Sequence, residues 1–518
     1  WYDNVVSVHP NNPDSIYCSG LDLYLSSNGG TTMNNISTYV VHVDHHAIAF
    51  DPHNPNIVYF GTDGGIFKTS DGGASFLSCN YGLQTTQFYP GFANSPQDST
   101  IAIGGLQDNG TLKFSGSQYW FDILYADGGW CAIDPTDKNI MYFEYQYLNL
   151  FKSTQGGSSA TPIVNGLAYG SSNANFIAPF IIAPSSPNIL YAGSRNVYKT
   201  VNGGSSWFAS NGQATLNGTN IACIGVSPLN ANYVIAATGA GALGVIPKFE
   251  IFSSNNGGSV WTNVTKRLNG TDSLPNRYPT DIEFDPADNF TAYLTYSGYG
   301  TPHIFKTTNL GSEWVNISGN LPDIPHQAIC VDPEAPENLY VGTDLGIFHS
   351  SDDGVIWEEY NDGMPSAMVL DLTVSKANNK LRASTFGNGV YERSLIRQPK
   401  LFLEYPNGGE TVAGGFQETI TWKQRFLQNV KLEFSSNNGV NWMLIADNIP
   451  AQSESFNWTP PDTSTTEAII RITDMDSGLL VDSSNASFSI IINPDYFKGW
   501  NLISLNLSVS YPRAETLF

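Results

Sequence analysis

Short runs of apolar residues that alternate with small polar ones fill most of the chain, and turn residues separate them at close spacing. Period-two alternation bounded by Gly, Pro, Asn and Asp predicts strands and tight turns, with no helix of consequence. The runs group into a repeating unit. It reads apolar strand, Asp-Pro turn, apolar strand ending in Gly, short loop, aromatic-Lys strand, then a fixed phrase. One copy runs through Ala47–Pro52, Ile57–Gly61, Ile66–Lys68 and Thr69–Phe76; others open at Cys131–Pro135, Ile181–Pro184, Ile224–Pro228, Ile282–Pro286 and Ile329–Pro333. Four short strands per unit, repeated about every forty to fifty residues, predict the blades of a β-propeller.

The phrase is Ser/Thr-x-Asp/Asn-x-Gly-x-x-aromatic. It stands at Thr69–Asp71–Gly73–Phe76, Thr200–Asn202–Gly204–Trp207, Ser254–Asn256–Gly258–Trp261, Thr307–Asn309–Gly311–Trp314 and Ser350–Asp352–Gly354–Trp357. Met33 ends an earlier copy at Ser26–Asn28–Gly30, and a worn copy at Ser153–Gln155–Gly157 ends in Ala160. Asp or Asn takes turn N–H groups, Gly supplies positive φ, and the Trp leaves the turn to pack between sheets. Asp71, Asn202, Asn256, Asn309 and Asp352 are therefore structural residues, as is Asn437 in a further copy, Ser435–Asn437–Gly439–Trp442.

The phrase resembles the Asp-box, or BNR repeat. Over residues 1–396 the chain resembles secreted bacterial propellers of the sortilin (VPS10-like) kind; sialidases and xyloglucanase-type glycosidases carry the same box. The resemblance implies an all-β propeller, with eight to nine blades visible, and places the box on the blade periphery, away from a ligand face. After a linker at Arg397–Lys400, strands at Thr419–Trp422, Val430–Phe434, Trp442–Ala446, Phe456–Thr459, Ala468–Thr473 and Ser487–Ile492 predict a β-sandwich over 401–493. It resembles an Ig-like domain of the Kre9/Knh1 type. Residues 494–518, with Gly499–Trp500–Asn501–Leu502, read as the cut-short start of another β module, and the chain as a piece of a longer protein.

Charge narrows the partners. The formal net charge is −23, which disfavours nucleic acid and anionic lipid. No stretch is long and apolar enough to span a membrane. The five cysteines include Cys131, Cys223 and Cys330 at matching strand positions, as small core residues rather than a disulfide or thiolate-metal framework.

Loops leading into an innermost strand, and loops joining the second and third strands, open on one face of a propeller. Asp44, His45 and His46 fall in the first kind of loop, Asp63 and Asp108–Asn109 in the second, and Asp127 in the first again, on successive repeats. These residues are the expected ligand site. Asp44, His46, Asp63, Asp108 and Asp127 also form a candidate divalent-cation set, with Ca²⁺ as the candidate cofactor; as hairpin turns alone, the Asp-Gly pairs need no ligand. The arginines do not recur at equivalent loops, so a sialidase triad is absent. The chain is expected to be a monomeric, extracellular, bacterial surface protein that binds a glycan or protein without catalysis. The alternatives are an Asp-box glycoside hydrolase and a sortilin-like peptide receptor. Asp63 and Asp127 can be nominated as carboxylates for hydrolysis.

Overall fold

The computed structural model describes residues 3–240, 247–266 and 273–492; the expected further module at 494–518 lies outside them. The chain divides into two compact units, 1–395 and 396–518. Among the described residues of the first, nine antiparallel sheets follow one another in sequence order, eight of four strands and the last of three. They span 5–35, 45–78, 93–124, 128–162, 180–209, 220–263, 279–316, 326–359 and 368–394 and are called blades one to nine below. The first unit is thus a β-propeller fold built of sheets.

The nine blades do not form the single ring expected over 1–396. The innermost strands of blades three to nine touch in order, and that of blade nine, Met368–Ser375, returns to Ala93–Asn94 of blade three. Seven blades therefore close on themselves. Their inner strands line one axial cavity of about 280 Å³. Blades one and two pack on each other through Val5–Val8 and His45–Phe50 and stand outside this ring. Closure is a set of specific bonds. Asp371 Oδ2 accepts the N–H groups of Gly91 (2.8 Å) and Phe92 (2.6 Å), and Phe88 N–H donates to Thr385 O (3.0 Å). Buried Arg382 donates to Asn94 Oδ1 (2.8 Å), Ser99 O (2.6 Å) and Glu392 Oε2 (3.1 Å). Arg382→Met should cost about 1–3 kcal/mol in urea unfolding, because the guanidinium gives up three charge-assisted hydrogen bonds at the seam; an unchanged midpoint would mean the seam does not limit stability.

The repeated phrase explains how blades adhere. In Thr307–Trp314, the Thr307 hydroxyl donates to Asn309 Oδ1 (3.0 Å) and accepts from Gly311 N–H (2.8 Å); Asn309 Oδ1 accepts from Glu313 N–H (2.8 Å). Gly311 has φ +87°, and a Cβ there would meet Val264 of the preceding blade at 2.7 Å. Trp314, buried, donates its Nε1–H to Val264 O (3.1 Å). Trp207 reaches Ile163 O (2.7 Å) and Trp357 reaches Ile317 O (2.9 Å) in the same way. Trp261 is only half-buried, because Ser210 stands where its siblings meet Ile or Val. The recurrent Lys stitches blades as well. Lys152 lies over Tyr142 at 5.2 Å and donates to Gly203 O of the next blade (3.1 Å); Lys199 lies over Tyr191 at 5.3 Å and donates to Gly257 O (3.3 Å).

The second unit is a β-sandwich. One sheet joins Lys400–Tyr405, Glu418–Arg425 and Ser455–Trp458; a six-stranded sheet faces it. Trp422, Val430, Phe434, Ile470 and Ile472 pack between them. The copy of the phrase at Ser435 keeps its bonds, with Gly439 N–H on Ser435 Oγ at 2.9 Å. Its Trp442 instead lies under the Arg471 guanidinium at 4.1 Å.

Candidate functional site

Glycines let the loops of blades two, three and four approach each other. A Cβ on Gly64 would lie 2.3 Å from the His42 ring, and one on Gly128 would lie 2.4 Å from Gly110 O. Much of the Gly-Asp-Gly pattern therefore serves backbone packing. Five non-glycine residues in these loops hold positive φ: Asp44 (60°), Asp108 (59°), Ala126 (83°), Tyr147 (65°) and Leu148 (64°), a conformation the surrounding bonds must enforce.

Those bonds join the blade pair to the ring. The His42 ring spans the carbonyl oxygens of Val43 and Asp108, each at 2.9 Å. Asn109 Nδ2 donates to Asp63 O (3.1 Å), and Asp63 N–H to Asp44 O (3.2 Å). Asp127 Oδ1 accepts the Asp108 N–H (2.9 Å), and its Oδ2 accepts from Gln146 Nε2. His46 Nε2 meets Asp63 Oδ1 at 2.6 Å. Asp44, His46, Asp63, Asp108, Asn109 and Asp127 thus come together at the junction of blade two with blades three and four.

His45 does not. It is buried and meets Phe60 edge-on, with ring centroids 6.2 Å apart. A register shift between His45 and Ala47 turns its side chain into blade two, and burial lowers its imidazole from the ordinary value. Among the described residues no three or more His, Cys, Asp or Glu side chains are arranged to hold a metal ion. Of the carboxylates expected as a Ca²⁺ set, Asp127 accepts a backbone N–H and Gln146, and Asp63 meets His46.

Burial, with Asp127 and Asp63 nearby, pushes the Asp108 carboxyl up to about 6. Burial raises Asp44, with Asp63 and Asp3 adding to it. Tyr89 is raised by burial and by Asp127 and Asp108. The site therefore holds a carboxyl that carries a proton near pH 6 beside other carboxyl groups. Sequence reasoning missed Tyr89 and Gln146; Gln146 follows the second strand of blade four, the same loop class that carries Asp63 and Asp108. Beneath them Glu144 is fully buried, accepts Trp130 N–H (3.2 Å) and is raised well above the usual carboxyl range by burial.

The fold makes this chain a β-propeller protein. No protein-family model matches it, and no curated protein matches it. Among solved structures it is similar to the GH74 enzyme of Niastella koreensis, with 17% identity over 94% of this chain and 78% of that one and a TM-score of 0.35. It is also similar to the GH74 xyloglucanase of Xanthomonas campestris (11% identity, 93% and 91% covered, TM-score 0.34) and to YCF48 of Cyanidioschyzon merolae (12%, 60% and 97%, 0.44).

Proposed function

We propose that the junction between blade two and the seven-bladed ring is a glycan site that hydrolyses glycosidic bonds, and that the chain is an extracellular propeller of the Asp-box type. One observation carries this reading: Asp108, with a carboxyl that titrates near 6, stands beside Asp63 and Asp127. Glycoside hydrolysis needs a carboxyl that donates a proton to the leaving oxygen and a carboxylate that acts as base or nucleophile. Asp108 takes the first role. Asp63, held by His46, takes the second; Asp127 orients Asp108 through its N–H. A net charge of −23 favours neutral over anionic glycans.

Binding without turnover is the second reading. The hydrogen bonds that already occupy Asp127 and Asp63 favour it. At about 280 Å³ the axial cavity gives no support to a peptide threaded through the propeller. The two main readings separate on a panel of neutral oligosaccharides with reducing-end detection. Hydrolysis should show a pH profile with a limb near 6, and Asp108→Asn should lower kcat by about 10²–10⁴, the range for a lost general acid, with glycan binding retained. Binding with no turnover selects the second reading; neither binding nor turnover overturns both.

A further inference from the structure

The third strand of blade nine, Val390–Ser394, pairs on one side with Lys380–Phe386 and has no strand on its other side among the described residues. In blades one to eight a short fourth strand covers that edge. The register says what is missing. In blade eight Leu339 pairs with Ser350, and the fourth strand then pairs with His349 and Phe348. In blade nine Lys380 pairs with Ser394 in the same way, so a fourth strand would pair with Arg393 and Glu392. Ser350 opens the repeated phrase, whereas Ser394 is followed by Leu395–Ile396–Arg397–Gln398–Pro399. The turn, the Trp and the covering strand are all absent from this point.

The space for that Trp remains. Between blades eight and nine lies a cavity of about 210 Å³, bounded by Tyr360, Met364, Leu381, Ala383 and Tyr391. Tyr360 follows the fourth strand of blade eight just as Ile163, Val264 and Ile317 follow theirs. Those three supply the carbonyls that receive Trp207, Trp314 and Trp357. A second cavity of about 170 Å³ borders the other face of the same strand, between Phe92, Phe114, Trp120 and Tyr391. At the rim Arg393 pairs with Asp362 at 3.4 Å.

We propose that this edge binds an extended segment of another polypeptide by strand addition. The segment pairs antiparallel with Arg393 and Glu392 and inserts a Trp into the cavity beside Tyr360. The blade interfaces within the molecule serve as the template for this one. Main-chain bonds supply affinity in such additions, and the side-chain pocket supplies selectivity.

A fluorescein-labelled peptide with the sequence of residues 253–266, which contains the phrase, Trp261 and Lys266, tests the proposal by titration with the full chain. Saturable binding is expected, at least tenfold weaker for the peptide carrying Trp261→Ala. Amide hydrogen exchange should slow at Val390–Ser394 when the peptide is bound. Tyr391→Ala, with its melting temperature checked, should weaken binding without affecting blades one to seven; if that variant does not fold, the peptide pair still decides. Equal affinity of the two peptides, protection elsewhere, or slow exchange at Val390–Ser394 before any peptide is added would overturn it.

Discussion

Trp314→Ala should lower the unfolding free energy by about 3–5 kcal/mol, the range for large aromatic truncations in cores. Trp314 is 2% exposed and fills the contact between blades six and seven. Its removal leaves a cavity against Val264, Leu274 and Phe305 and strands the carbonyl of Val264 without its indole donor. Surrounding strands belong to two different hydrogen-bonded sheets, so they cannot collapse freely into the gap. Trp261→Ala should cost clearly less, because Trp261 is half-buried and donates to the Ser210 hydroxyl at 3.1 Å. Chemical denaturation of both variants checks the order, and equal losses would contradict the account of the interblade contact. Glycan binding by the folded fraction should be unchanged in each, since both residues lie away from the Asp108 junction.

Stability should rise as pH falls from 8 to 5. Three acids line the axial cavity of the ring: Asp281, Glu283 and Asp371. Burial raises Asp281 to about 6; burial and Asp281 raise Asp371 to about 7; burial, Asp281 and Asp371 raise Glu283 to about 8. Each value exceeds that of the unfolded chain. Between about pH 4 and 8 the native state therefore holds protons that the unfolded state has released, and stability falls as pH rises through this window. Each proton held only by the native state costs about 1.4 kcal/mol per pH unit, so the summed loss from pH 5 to pH 8 is on the order of several kcal/mol. At the acid end the sign reverses. Asp71 is held at about 2 by Ser75 and Thr69, and Asp98 well below the ordinary value by Lys138; bonds of this kind are lost on protonation. The melting temperature should peak near pH 5. Glu283→Gln should raise it at pH 8 and leave it nearly unchanged at pH 5. A flat profile, or a higher melting temperature at pH 8 than at pH 5, would show that the cavity hydrates these groups as well as bulk water does.

Asp281 and Asp371 persist in so costly a place for a structural reason. Asp281 Oδ2 accepts the N–H of Ile329 on the next inner strand at 2.9 Å. Asp371 does the same for Gly91 and Phe92 across the closing seam. Both carboxyl groups bridge adjacent blades near the axis, so neutralising them should be worse than neutralising Glu283.

Local chemistry was legible in the chain. Four-stranded units, their order and the bonding of each turn follow from alternation and from Ser/Thr, Asp/Asn and Gly at fixed offsets, because a turn is closed by residues a few positions apart. The same logic holds in the sandwich, where Ser435–Asn437–Gly439 makes the same turn in another fold. Loop class alone assembled Asp63, Asp108, Asn109 and Asp127, since strand direction dictates which loops share a face. Ring closure was not legible: identical repeats carry no mark of where the circle ends, and only the contacts of Asp371 with Gly91 and of Arg382 with Asn94 decide that seven blades close and two remain outside. The burial of His45 was equally hidden, because a single register shift reverses which side of a strand a residue faces. The ionisation of Asp108 was not legible either, because its largest cause is burial, which exists only once blade two rests against the ring.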